Sequence, residues 1–167
     1  MSDTLRTERL TFRRFQRADA ERLAVLVNDI EIARWIGPMP HPYSLEMAHD
    51  YLDHVIGSGE DTFALEYEGH LVGAIGIRLM LGFWLAREHW GKGLMTEAAF
   101  VLLHHHFAGG AAVVTSGYHA GNDASARVHE KLGFRPNGSS AVFSQALGED
   151  VKRHELILTA DDWKACT

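Results

Sequence analysis

Two glycines and a lysine stand where the sequence changes character. Gly91-Lys92-Gly93 follows the apolar run at 81–86 and opens directly into an apolar segment from 94 to 107. The first turn of a helix leaves main-chain N–H groups without internal partners and carries about half a positive charge, which suits a phosphate. Glycines let the backbone approach oxygen with no Cβ in the way, and they accept φ > 0 where a loop curls around an anion. Lys92 adds charge. The simpler alternative is a plain strand-to-helix turn that happens to use two glycines. The stretch lacks GxxxxGK[ST], and Thr96 stands where the dinucleotide fingerprint GxGxxG needs its third glycine, so ATP and NAD are disfavoured.

A second group lies further on. Tyr118 and His119 end an apolar, strand-like run, and Asn122 and Ser125 open the helix-like stretch behind it. Asn122 is a favoured N-cap, and Ser125 falls in the first turn, where a serine is acceptable with no chemical task. A tyrosine at a strand end often packs with its hydroxyl in water. Histidine titrates near neutrality, so His119 and His41 are candidates for moving a proton, beside an ordered water. The histidines as a set do not suggest a metal: His104, His105 and His106 point in three directions from one helix, and His49 and His54 are wrongly spaced for a shared face. Cys166 is the sole cysteine, so no disulfide framework and no cysteine-based zinc site can form within one chain.

These residues need elements to position them. A chain of 167 residues with 46% hydrophobic content is sized for a single domain, 1–167, with a substantial core. The formal charge of −6 argues against nucleic acid as a main partner. The opening MSDTLRTERL has no apolar core of a signal peptide, and the apolar runs are too short to span a membrane, so a cytoplasmic protein is expected. Alternation at 9–14 predicts a strand, and the apolar cluster at 18–27 a helix with Asp19 placed to cap or charge its first turn. Pro38, Pro40 and Pro42 mark a loop, and Ser44 opens an amphipathic helix through Met47, Tyr51, Leu52 and Val55. Strands at 62–67 and 71–77 flank Glu68-Gly69-His70 as a hairpin would. A strand at 81–86, the helix at 94–107, a strand at 111–119, a helix at 123–132 closed by Gly133, and strands at 140–146 and 152–159 complete the order. That order predicts an α/β fold, a mixed sheet with helices on both faces.

Glu88-His89-Trp90-Gly91-Lys92-Gly93 resembles the pyrophosphate loop of the GNAT N-acetyltransferases, [Gln/Arg]-x-x-Gly-x-[Gly/Ala], departing from it only at Glu88. WLAREHWGKGLMTEA at 84–98 is similar to the WLAPEYWGKGYATEA found in the branch that acetylates N-terminal alanines of ribosomal proteins. TERLTFRRF at 7–15, NDASARVHEKLGF at 122–134 and HELILTADDW at 154–163 extend the resemblance over nearly the whole chain. It implies a GNAT-like α+β fold with a central mixed, mostly antiparallel sheet, and acetyl-coenzyme A (acetyl-CoA) as acyl donor. It implies an amine acceptor, a protein N-terminus or a small amine, attacked without a covalent enzyme intermediate. By the same resemblance the stretch Glu88, His89, Trp90, Gly91, Lys92, Gly93, Leu94, Met95 and Thr96 holds the diphosphate of coenzyme A. The main chain of Phe83, Trp84 and Leu85 would pair with the pantetheine arm as an added strand. Asn122, Ser125 and Lys131 would border the coenzyme. Ser125 would give the leaving thiolate its proton, with Tyr118 as the alternative acid; the base stays open among His119, His41 and water. A non-catalytic acyl-CoA-binding module that keeps the loop is the competing reading, and monomer and homodimer both remain open.

Overall fold

The computed structural model describes residues 5–167, so the first four residues of the expected domain lie outside the described residues. In chain order the elements are β1 (Leu10–Arg13), a 3-10 turn at Arg17–Asp19, α1 (Ala20–Val27), α2 (Ile30–Ala33), α3 (Leu45–Ser58), β2 (Thr62–Tyr67), β3 (His70–Ile77) and β4 (Leu81–Leu85). A second 3-10 turn at Arg87–His89 leads to α4 (Leu94–Ala108), β5 (Val113–His119), α5 (Asp123–Lys131), β6 (Arg135–Ser144), β7 (Glu149–Thr159) and α6 (Ala160–Cys166).

Each local feature has a cause in sequence. Glu68 and Gly69, at φ 51° and 79°, make the two-residue turn of the β2–β3 hairpin, in which both central residues need φ > 0. The Ser44 side chain accepts from the Met47 amide at 3.2 Å and starts α3; Gly59, in the left-handed region, ends it. Asp19 does not cap α1. The 3-10 turn runs straight into the helix and leaves no free first turn there, so its carboxylate accepts from Arg13 at 2.7 and 2.8 Å and from the Gln16 amide at 2.8 Å.

The strands form two antiparallel sheets, β1-β2-β3-β4 and β5-β7-β6, instead of one continuous ladder. They meet where β4 lies beside β5 without a main-chain ladder. Side chains close part of that seam: the Thr115 and Ser116 hydroxyls lie 3.3 and 2.9 Å from the carbonyl oxygens of Leu79 and Leu81.

Helices cover both faces. On one face Leu94, Ala98 and Leu102, one turn apart on α4, pack with Phe12, Leu65, Ile75, Leu81 and Leu85 and, across the seam, with Val114, Leu156 and Leu158. On the other, Leu23 and Val27 of α1 and Ala48 and Leu52 of α3 meet Ala64 and Ala74. Burying each such leucine is worth about 2 kcal/mol. Because residues 64 and 65, or 74 and 75, point to opposite faces, one strand feeds both layers. The short α2 and the closing α6 were not expected. In α6, Thr159 caps the Asp162 amide at 3.1 Å, and Trp163 is buried against Phe107.

Candidate active site

The loop after β4 is fixed at both ends. The Trp90 indole N–H donates to the Leu85 carbonyl at 2.7 Å and folds the loop back on the strand it leaves. Arg9, just before β1, donates through Nη1 to the Lys92 carbonyl at 3.0 Å and through Nε to Glu97 at 2.9 Å, while its own amide reaches the same carboxylate at 3.1 Å. Partial burial works against ionisation of Glu97, but bonds from Thr7 and Arg9 outweigh it and hold its carboxyl below the usual range.

Between these anchors Gly91 and Gly93 adopt φ 71° and 77°, the left-handed region that only glycine enters without cost. Gly93 is the N-cap of α4 and offers no side chain to the helix start. The first amide bonded back along the helix is that of Glu97, to the Gly93 carbonyl at 3.1 Å. The N–H groups of Gly91, Lys92, Gly93, Leu94, Met95 and Thr96 meet no acceptor among the described residues. Space is free as well: a Cβ at Gly91 would touch nothing within 4 Å, and one at Gly93 only Arg9 Nη2 at 3.7 Å. Free donors bordering open space are what a diphosphate requires. Lys92 is exposed beside it. Glu88 and His89 serve the loop differently, for the Glu88 carboxylate is 3.9 Å from Arg22 of α1 and the His89 ring packs on Tyr67 at 5.3 Å.

Register decides what the edge of β4 offers. Ala86 donates to Val72 at 2.7 Å and Arg78 to Met80 at 3.3 Å, so the pairs Ala74–Trp84 and Gly76–Gly82 are the hydrogen-bonded ones. The N–H and C=O of Trp84 therefore belong to β3, and the expected main-chain triplet narrows to Phe83 and Leu85, which face the seam. The Leu85 carbonyl is taken by Trp90 and that of Leu81 by Ser116. The Phe83 N–H and C=O and the Leu85 N–H stay open among the described residues. The Trp84 side chain lies on the α1–α3 face.

Across the seam, Asn122 caps α5 by accepting from the Ser125 amide at 3.2 Å. The Ser125 hydroxyl is half-buried, 3.4 Å from His129 Nδ1. Tyr118 sits on the same face, its ring 5.0 Å from that of His154 and 6.1 Å from that of His129. His119, next along β5, faces the opposite side, toward the loop after α2. The ring nitrogen Nδ1 lies 3.3 Å from the Arg34 carbonyl, which can only accept; Nδ1 thus holds the proton and Nε2 is the basic nitrogen. Burial lowers the His119 pKa below its ordinary value, against the Arg34 bond and with help from Arg153, and favours the neutral ring.

His41 lies elsewhere, in a cleft of about 500 Å³ lined also by Asn28, Ile30 and Ala86, across which Arg87 donates to Asp29 at 3.0 Å. Lys131 is exposed in the last turn of α5. The structure so gathers the loop amides, the Phe83–Leu85 edge, Asn122 and Ser125 around the seam, with His119 on the far face. Arg9, Ser116 and His129 were missed, and Trp90 was expected in the loop without its indole bond to the Leu85 carbonyl. Of these only His129 left a signal, one turn after Ser125. Among the described residues no group of three His, Cys, Asp or Glu side chains converges to hold a metal, and no helix is long and apolar enough to cross a membrane.

Comparison with known proteins bears on the family and the fold. Residues 9–135 match the acetyltransferase (GNAT) domain. YdaF of Bacillus subtilis (strain 168), named provisionally as a ribosomal N-acetyltransferase, is 28% identical over 90% of this chain and 92% of its own. A GNAT-family acetyltransferase from Bacillus anthracis superposes with a TM-score of 0.83 at 21% identity, covering 95% of this chain and 99% of that one. RimL, a ribosomal L7/L12 α-N-protein acetyltransferase solved with coenzyme A, superposes with a TM-score of 0.82 at 16% identity, covering 96% and 99%. The matched domain spans most of the chain: the protein belongs to the GNAT acetyltransferases, enzymes that carry an acetyl group from acetyl-CoA to an amine.

Proposed function

We propose that this enzyme acetylates the N-terminal amine of a protein, a ribosomal protein in the first instance. The observation that carries the coenzyme half of the reading is the row of unpartnered amides from Gly91 to Thr96 beside the open edge of β4. The acceptor half is supported by the names of YdaF and RimL and by a net charge of −6, which favours cationic partners over nucleic acid.

Acetyl-CoA supplies the activated thioester. The amides of Gly91, Gly93, Leu94, Met95 and Thr96 would hold its diphosphate, with Lys92 beside them, and the N–H and C=O of Phe83 would pair with the pantetheine arm. The Leu85 N–H would polarise the thioester carbonyl. His119 Nε2 takes the proton from the incoming amine, as C–N forms and C–S breaks, and the Ser125 hydroxyl gives its proton to the leaving thiolate. Because Ser125 and His119 lie on opposite faces of β5, amine and sulfur are handled from opposite sides. Tyr118, on the Ser125 face, is the reserve acid, and Asn122 orders the helix that carries Ser125. Strands of both sheets share one core, which supports a single domain over 1–167. The single cysteine is in keeping with a cytoplasmic setting.

The test is turnover: acetyl-CoA with small amines, peptides of varied N-terminal residue, and the same peptides already blocked, following free thiol. Release that needs an unblocked peptide N-terminus is expected. Release with small amines alone overturns the acceptor class, and binding without release makes the chain an acyl-CoA-binding module.

A further inference from the structure

Resting on that reading of Ser125, we infer that His129 is its positioning residue, holding the serine hydroxyl as an outward-pointing donor through the proton on Nδ1. His129 is 2% exposed, wrapped by the rings of Phe83, Tyr118 and Phe134 at 5.3, 6.1 and 5.2 Å. Its two ring nitrogens meet different partners. Nδ1 lies 2.7 Å from the Ser125 carbonyl and 3.4 Å from the Ser125 hydroxyl; Nε2 lies 2.7 Å from the Ser116 hydroxyl, itself 2.9 Å from the Leu81 carbonyl. The link joins α5 to β5 and β4 across the seam.

A carbonyl only accepts, so the nitrogen 2.7 Å from Ser125 O carries a hydrogen. Burial favours the neutral ring, against the Ser125 bond, so Nε2 is bare and takes a share of the Ser116 proton. This tautomer decides what Ser125 can do. With a hydrogen on Nδ1 that nitrogen is no acceptor, and the Ser125 hydroxyl, accepting at its oxygen, must turn its own proton away from α5. With the hydrogen on Nε2 instead, Ser125 would donate inward to Nδ1 and be lost to the thiolate.

Two measurements test this. Nitrogen-15 NMR of the whole protein should show His129 neutral with its proton on Nδ1; a proton on Nε2 overturns the inference whatever the variants do. Steady-state kinetics then use His129→Asn, which places an N–H near the Nδ1 position, and His129→Gln, which places one near Nε2. His129→Gln should lower kcat about tenfold, the worth of one hydrogen bond, with the acetyl-CoA KM unchanged within about twofold. His129→Asn should recover most of the loss. Added to Ser125→Ala, His129→Gln should do nothing more, because it acts through the hydroxyl already removed. Equal losses in Asn and Gln, or losses that multiply with Ser125→Ala, overturn the inference while leaving Ser125 in place. Full turnover in Ser125→Ala overturns both.

Discussion

Replacing Gly93 by alanine isolates the loop from the rest of the chemistry. In the free protein the new Cβ meets only Arg9 Nη2, at 3.7 Å, an ordinary contact, so nothing clashes. The cost to the fold is that of an alanine at φ 77°, about 1 kcal/mol, or roughly 2–4 °C in Tm for a chain of this size. Binding suffers more. The methyl group sits between the amides of Gly93 and Leu94, where oxygen must approach, and each charge-assisted bond lost is worth about 1.5–3 kcal/mol. One lost bond raises the acetyl-CoA KM about 10- to 100-fold, since about 1.4 kcal/mol is a factor of ten. His119 and Ser125 are untouched, so kcat at saturation should stay within about threefold. Initial rates of thiol release against acetyl-CoA, with a melting curve on the same sample, give both numbers. A folded variant with normal KM, or a loss confined to kcat, refutes the reasoning.

Removing the guanidinium in Arg9→Ala should loosen the Lys92 carbonyl and Glu97 together and raise the acetyl-CoA KM about tenfold; an unchanged KM would make that contact irrelevant to the loop. His119→Asn keeps a donor for the Arg34 carbonyl but removes the base, so kcat/KM should fall about a hundredfold at neutral pH. The wild-type kcat/KM should rise with pH through a value below 6.5, where the neutral ring forms, apart from the acceptor amine's own titration near about pH 8; the lower limb should vanish in the variant, and its survival would point to another base. Burial opposes ionisation of Asp19, yet its bonds from Arg13 and Gln16 prevail and set its pKa below the ordinary 3.8. The stability this gives is present above that value and lost as pH falls through the folded pKa; Asp19→Asn should cost about 3 kcal/mol at pH 7, and far less at pH 2, in denaturant melts.

Local signals carried most of the fold. The β2–β3 turn, the Ser44 cap and the apolar α4 each follow from neighbouring residues. What escaped depends on partners distant in sequence or on very short elements. Nothing in IEIA at 30–33 says helix except Asp29 ahead of it, whose side chain accepts from the Glu31 amide at 3.0 Å. β6 begins before its expected start because Pro136 and Gly138 hide a bulged stretch that pairs with β7 all the same. The division into two sheets is invisible to alternation, which cannot say whether adjacent strands share a ladder. At the site, spacing exposed the glycines and the Asn122 cap. The exclusion of the Trp84 main chain needed the register against β3. Arg9 and Ser116 act through carbonyls at Lys92 and Leu81, contacts that no motif records.

The central claim is that the free amides at the start of α4 bind the coenzyme diphosphate, and amide NMR reads them one by one. Titration of the labelled protein with desulfo-coenzyme A should move the Gly91, Gly93, Leu94, Met95 and Thr96 signals downfield, saturably, ahead of any change in α1 or α3. Binding that leaves those five signals in place would contradict the account.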